Sequence, residues 1–259
     1  MAAVHAAEKL SLEEAAARFA DTERWIATIL RRMQPLVRAD KPWRVLDIGA
    51  AQGRGLIALA RMGHRAFGVE PDREAIEVAR QLAAKEGVTI DIREGRAEAI
   101  PFDDESFDLV IATSVIEHVD DLEESLREIH RVLVPGGMFW FNSTSSVSLR
   151  QNEIAGFPLF GWYPDPLKRR IMIWARDHRP ALVGHTEHPA FHWWTPGKAH
   201  RKLREANFGE IQDRWDLRLP EEDPGWRGQA IALLRRHRAL RFLGDVLVEG
   251  CSFAARRLA

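Results

Sequence analysis

The 259-residue chain is poor in the features that define several large classes of protein. It has one cysteine, Cys251, so it can form neither an internal disulfide nor a thiolate metal cluster. That usage suits a reducing compartment. No uninterrupted apolar run approaches the ~20 residues of a membrane-spanning helix. The opening MAAVHAAEKLSLEEAAARFA lacks the basic start and long apolar stretch of a secretory leader. A cytoplasmic protein is expected, any membrane contact being peripheral. There is no internal repeat and no low-complexity segment. Net charge is nearly absent as well, with 37 Lys and Arg against 38 Asp and Glu, a formal −1. With 46% hydrophobic residues, that balance excludes a wholly disordered chain and permits one large α/β domain with an insertion. The charge is unevenly spread: residues 160–259 hold 18 Lys and Arg but only 12 Asp and Glu, so the rest of the chain is acidic.

What the chain does contain is an alternation of strand and helix signals. Ser11 and Glu14 have capping-box spacing, and a helix is expected from there to about Arg38. RVLDIG (44–49) is a short apolar run entering a glycine turn, as a buried parallel strand would be. A helix is expected at 54–62, a strand at 66–70, a helix at 72–86 and a strand at 89–94. A fourth strand is expected at 107–114, and an amphipathic helix at 122–134 that Pro135-Gly136-Gly137 stops. MFWFNST (138–144) reads as a fifth strand. Aromatics, prolines and histidines then crowd residues 145–195. The rhythm resumes with a helix at 196–206, strands near 210–219 and 248–256, and a helix between them at 226–243. This order predicts a Rossmann-like, doubly wound, mostly parallel seven-stranded α/β sheet with an aromatic-rich lid insertion after strand 5.

The strongest chemical signal is VLDIGAAQGRG, Val45 to Gly55. A strand ends, glycines turn the chain and a helix begins. In an open α/β sheet, ligands bind at the C-terminal ends of the strands. Glycine lets backbone approach a ligand closely, and the N–H groups of the next helix favour negative charge. No Lys-Ser/Thr follows the loop, which argues against a phosphate-cradling P-loop. The glycines at 49, 53 and 55 are also not spaced as in a dinucleotide fingerprint, which disfavours a dehydrogenase. Glu70, at the end of the second expected strand, is placed to accept both hydroxyls of a ribose. Loop and acid together point to an adenosine-type ligand without a triphosphate.

These residues resemble the class I S-adenosylmethionine-dependent methyltransferases, strongly over residues 42–144 and more weakly over 196–256. The relevant branch is methyltransferase type 11, like the ubiquinone-biosynthesis enzymes. The resemblance implies that Asp47 supports the loop and that Gly49, Ala50, Ala51, Gln52 and Gly53 line the methionine and ribose parts of the donor. It implies that Glu70, followed by Pro71, holds the ribose. EGRAEAIPFDDESFDLV (94–110) is similar to the family's adenine loop and fourth strand, which assigns Arg96, Ala97, Glu98 and Thr113 to the donor site. In that loop the family often has Asp where this chain has Arg96, a side chain that can only donate, so backbone groups at Ala97 are left to read the adenine edge. SVIEHVDD (114–121) and REIHRVLVPGGMFWFNST (127–144) are similar to the family's later landmarks. The implied cofactor is S-adenosylmethionine, with S-adenosylhomocysteine as product. The implied organisation is an N-terminal helical segment (1–41), a donor-binding core (42–144), a lid (145–195) and the C-terminal part of the same domain (196–259).

Methyl transfer from a sulfonium is an in-line displacement that needs alignment and, for a hydroxyl acceptor, a base. His118, after the fourth strand, is the candidate base; its structural alternative is to cap the loop or to help bind the donor. The ubiquinone O-methylating and small-RNA-methylating families use a Glu-x-x-Glu-His metal motif. Here Ser114 stands at its first position, before Glu117-His118. His185, His188 and His192 could complete a metal site, but Pro189 interrupts the run and no metal is assigned. Trp162, Tyr163, His192, Trp193 and Trp194 are candidate walls of an acceptor pocket, the alternative being a small core that packs the insertion onto the domain. Leu167, Ile171 and Trp174 share a helical face among basic residues, and GQAIALLRRHRALRFL (228–243) has similar character; both suit an anionic membrane surface. The expectation is a methyltransferase acting on a small or lipid-linked acceptor, with oxygen as the acceptor atom. The alternatives are a non-catalytic donor-binding partner protein and an RNA methyltransferase, although no nucleic-acid recognition module is visible.

Overall fold

The computed structural model describes residues 12–149, 153–183, 188–219, 222 and 224–259. Helix α1 (Leu12–Met33) leads into strand β1 (Arg44–Ile48), and helix α2 (Arg54–Arg61) into β2 (Arg65–Glu70). Helix α3 (Arg73–Lys85), β3 (Ile90–Glu94), β4 (Phe107–Thr113), α4 (Leu122–Val132) and β5 (Leu133–Ser143) follow. The insertion carries α5 (Asp165–His178). Then come α6 (Pro196–Glu205), β6 (Phe208–Asp213), α7 (Trp226–Arg236), α8 (Arg238–Leu247) and β7 (Cys251–Arg257). The seven strands form one sheet in the order β3-β2-β1-β4-β5-β7-β6. Strands β1 to β5 are parallel, and β7 is antiparallel to both β5 and β6. The order reverses between β1 and β4, which opens a crevice at their C-terminal ends.

The central strands β1, β4 and β5 are mostly apolar because both faces of the sheet are covered there, while the edge strands β3 and β6 are mixed. Leu46, Ile48, Val110, Ala112, Phe139 and Phe141 belong to one core with Leu126, Ile129 and Leu203 of α4 and α6. Their alternates Val45, Leu109, Ile111, Met138 and Trp140 belong to the other, with residues of α1, α2 and α3. A third, smaller core lies in the insertion around Phe160, Met172, Ala175, Val183 and Trp193.

Several expected boundaries shift for local reasons. Helix α1 ends at Met33 rather than near Arg38, because Pro35 has no N–H and its ring disfavours helix at the residue before it. Ser11, the expected cap, lies outside the described residues. Strand pairing on β5 begins at Leu133, before Pro135-Gly136-Gly137. The register between Phe107↔Leu133 and Leu109↔Met138 is irregular, and Gly136 takes up the extra length at φ 80°. The expected helix at 226–243 is two helices, α7 and α8, broken at His237. Strand β6 stops at Asp213, whose side chain accepts the Trp215 N–H at 2.8 Å and turns the chain.

Candidate functional site

Strand β1 delivers the chain to its turn through Gly49 and Gly53, both left-handed, with φ of 70° and 73°. A side chain at either position would collide with the wall behind. A Cβ on Gly49 would stand 2.5 Å from Val115 Cγ2, and one on Gly53 would stand 2.6 Å from Ala79 Cβ. Ala51 is also left-handed (φ 46°), an unfavourable conformation for a residue with a Cβ. It is held by its N–H, which donates to Glu70 Oε2 at 2.7 Å. The Asp72 N–H donates to the other oxygen, Oε1, at 3.1 Å. Glu70 is therefore a latch between the β1 and β2 turns. A carboxylate has about four lone-pair positions, so it retains acceptor capacity after these two bonds.

Below the turn, Asp47 is buried on β1. Gly55 leaves room for it, since a Cβ there would lie 2.8 Å from Asp47 Oδ2. Burial, with the nearby charge of Glu70 in second place, raises the Asp47 carboxyl to about 7. Glu117, after β4, accepts a hydrogen bond from Ser143 Oγ at 2.7 Å. It too is raised to about 7, chiefly by burial, with the Ser143 bond opposing and Glu153 adding to the rise.

These two carboxyls bind protons more tightly in the folded chain than in the unfolded one. The stability they contribute is fully present below about pH 4 and is lost as pH rises through about 7. Asp47→Asn and Glu117→Gln copy the protonated forms and remove this loss. Each should flatten the fall in urea-unfolding free energy between pH 5 and 8 by up to roughly 3 kcal/mol. An unchanged slope in both variants would contradict the assignment.

A cavity of about 120 Å³ opens beside the glycine turn. Ile48, Gly49, Val69, Pro71, Gly95, Arg96, Ala97, Glu98, Val115, His118, Val119 and His188 line it. Its far wall, the 95–99 loop, is tied down by charge. Arg96 donates to Asp120 Oδ2 at 2.6 Å, and Glu98 Oε1 accepts the Asp120 N–H at 2.8 Å. The Arg96 guanidinium thus joins two protein loops. His118 sits on a turn that begins at left-handed Ser114 (φ 52°), whose N–H donates to Asn142 Oδ1 at 3.0 Å. The His118 N–H donates to the Val115 carbonyl at 2.8 Å.

The structure thus brings Gly49, Pro71, Arg96, Ala97, Glu98 and His118 to one cavity, with Glu70 and Asp47 supporting the adjoining turn. Ala50 is buried beneath that turn, while Ala51 and Gln52 lie exposed on it. Thr113 ends β4 opposite Asn142 in the sheet.

The histidine-tryptophan run closes over the ends of β4 and β5. The Phe191 and His192 N–H groups donate to the Glu117 carbonyl at 2.7 and 3.1 Å, and the Trp194 N–H donates to the Thr144 carbonyl at 3.0 Å. His192 Nε2 lies 3.0 Å from the Val119 carbonyl, which can only accept, so that nitrogen carries the proton. Burial lowers the His192 pKa, leaving a neutral ring that pins the insertion down. Trp194 lies in the main core against Phe141, at 5.2 Å between ring centroids. Trp193 packs on Phe160 in the insertion's own core and, with Trp162 and Tyr163, lines a second cavity. His185 lies outside the described residues. Among the described residues, no group of three or more His, Cys, Asp or Glu is placed to hold a metal ion.

Sequence reasoning did not single out Val115, Val119 or Asn142. The valines look like ordinary core residues, and the only signal at Asn142 is its polarity within MFWFNST. Of the histidines in the 184–196 stretch, which the sequence offers either as metal ligands or as pocket residues, His188 lines this cavity.

Residues 46–141 match the family model described as a methyltransferase domain. Over 97 residues, 37% of this chain and 38% of the relative, the chain is 37% identical to the uncharacterized methyltransferase YcgJ of Bacillus subtilis (strain 168). Over 106 residues, 40% of this chain and 42% of the relative, it is 38% identical to a ubiquinone biosynthesis O-methyltransferase of Chelativorans sp. (strain BNC1). The matches thus span less than half the length of these curated relatives. Among solved structures, an S-adenosylmethionine dependent methyltransferase from Mesorhizobium loti shares the fold at a TM-score of 0.57 and 19% identity, covering 92% of this chain and all of that one.

Proposed function

We propose that this chain, related through residues 46–141 to the class I S-adenosylmethionine-dependent methyltransferases, moves the donor's methyl group to an oxygen of a small or lipid-like acceptor. The observation that carries the reading is the Glu70 latch beside a cavity lined by Gly49, Pro71, Ala97 and His118. The cavity's apolar lining suits a flat base. Its ~120 Å³ is well short of the roughly 300–1,000 Å³ of a complete ligand site. The remainder of the donor therefore lies along the exposed turn at Ala51 and Gln52, within reach of the free lone pairs of Glu70.

When bound, the donor supplies an electrophilic methyl on a sulfonium, which leaves as a neutral thioether. The chain's own task is to hold and align. Glu70 accepts from the ribose hydroxyls, and the bare Gly49 backbone allows close approach. His118 takes the proton that the acceptor oxygen gives up as its new bond to carbon forms. The name of the Chelativorans relative supports an oxygen acceptor. A lipid-like acceptor draws on the exposed Trp162, Trp174, Phe242, Leu243 and Leu247 of the insertion and α8, which suit peripheral contact with a membrane surface. No described helix is long and apolar enough to cross a membrane.

The direct assay follows transfer of labelled methyl to a panel of phenols and lipid quinols. Label appearing on oxygen in a His118-dependent way is the expected result. Label appearing only on nitrogen or on RNA would overturn the oxygen reading.

A further inference from the structure

We infer that the second cavity, walled by aromatic rings and two lysines, seats an anionic group carried by an aromatic or apolar molecule. The cavity is about 380 Å³ and open to solvent. Trp162, Tyr163, Trp193 and Phe242 supply the rings, and Lys168 and Lys198 supply the charge.

Lys168 is 1% exposed, an unusual state for a lysine. Its Nζ pairs with Asp165 Oδ1 at 2.7 Å and donates to the Gly161 carbonyl at 3.2 Å and to Ser146 Oγ at 3.3 Å. It also lies 4.6 Å from the centre of the Trp193 ring. Lys198 Nζ pairs with the other oxygen of the same carboxylate, Asp165 Oδ2, at 3.2 Å. One carboxylate thus serves two ammonium groups, and the cluster keeps an excess positive charge. Pro164 and Asp165 at the start of α5, and Thr195 at the start of α6, also line the cavity, so the positive ends of two helix dipoles border it.

Charge decides between two readings of the same rings. Four aromatic side chains around a hollow could cage a cationic ammonium. Here Lys168 already occupies the face of Trp193, and a second cation would meet two lysines and two helix N-termini. A carboxylate or phosphate meets the opposite field, and its apolar body meets the rings. Burying Lys168 merely to pack the insertion would be a costly choice, since an apolar side chain fills such a space without desolvating a charge.

The cavity also lies near the proposed chemistry. Its wall residue Trp193 follows His192, whose N–H donates to the carbonyl of Glu117, the neighbour of His118. As the seat of the methyl acceptor the cavity rests on the methyl-transfer reading; as an anion site it does not.

The test uses the full chain and four probes: 1-naphthoate, 1-naphthyl phosphate, neutral 1-naphthylmethanol and cationic 1-naphthylmethylammonium. Binding is followed by calorimetry and by quenching of tryptophan fluorescence. At least one anion should bind about tenfold more tightly than the neutral probe, as expected for one added charge-assisted hydrogen bond. The naphthoate and phosphate arms separate a carboxylate site from a phosphate site. Lys198→Gln should abolish that preference while leaving the neutral probe's affinity unchanged, and Trp162→Ala should weaken all the probes that bind. Lys198 is less buried than Lys168, so its substitution tests the charge without the disturbance to folding that replacing Lys168 would bring. Equal affinities, a preference for the cation, or a preference that survives Lys198→Gln would overturn the proposal. S-adenosylhomocysteine titrated into the same samples reads the donor site separately. If it fails to bind while the anion preference holds, the methyl-transfer reading falls and the anion site stands.

Discussion

Replacing Glu70 by Ala is expected to weaken S-adenosylmethionine binding by about 10²- to 10³-fold, the value of one or two charge-assisted hydrogen bonds to the ribose. The effect has a second source. Ala51 is left-handed and its N–H has Glu70 Oε2 as partner, so the truncation also releases the turn that the donor must follow. Glu70→Asp shortens the reach and should bind between the two extremes. Glu70→Gln keeps one acceptor oxygen but loses the charge, and should fall nearer to Ala. Calorimetric titration of the three variants, each checked for folding by circular dichroism, measures this series. Wild-type affinity in the Ala variant would remove Glu70 from the site.

The second large effect is expected in turnover. His118→Ala should lower kcat on an oxygen acceptor by about 10²- to 10⁴-fold, the usual contribution of a positioned base. Donor affinity should change far less, because the remaining lining of the cavity is untouched. The rate of the variant should recover as pH approaches the acceptor's own pKa, where the hydroxyl ionises unaided. A donor-binding role would give the opposite split, with weakened binding and a nearly unchanged kcat at saturation. A loss of less than threefold in kcat, with no change in the pH profile, would take the base role from His118.

The glycine-turn side of the sheet is legible in the sequence because local rules dominate it. Apolar strands, glycines at a turn and an acid at the next strand's end each act within a few residues. The turn through Gly49 and Gly53 follows from that pattern; the bonds that Glu70 accepts from the Ala51 and Asp72 N–H groups do not, because they depend on how the two turns meet in space. What was not legible depends on contacts distant in sequence. Nothing near His237 signals a break between α7 and α8. The flanking helices grip one distant turn from two sides: Arg235 Nε donates to the Trp215 carbonyl at 2.8 Å, and Arg241 Nη2 donates to Asp213 Oδ1 at 2.8 Å. Trp215 and Leu217 read as a continuation of β6, yet strand pairing ends at Asp213; Trp215 packs against Gly244 of α8, and Leu217 joins the core beside α1, α2 and α3.

The insertion was legible as an aromatic cluster but not in its division of labour. Trp193 and Trp194 are neighbours in sequence and face different cores, one in the insertion and one against β5. An alternation of this kind follows from the extended backbone there, where successive side chains point to opposite sides. The His192 ring bonds to the Val119 carbonyl, while His188, four residues earlier, lines the cavity beside the glycine turn. Composition alone could not rank these histidines. Lys168 carried no signal at all, since a lysine in a basic amphipathic helix normally faces solvent.

The proposed donor site is built from the glycine turn and Glu70, and its most direct test is calorimetric titration of the folded chain with S-adenosylmethionine and S-adenosylhomocysteine. Saturable binding of both at one site per chain is the predicted result. Well-folded protein that takes up neither ligand would contradict the central claim.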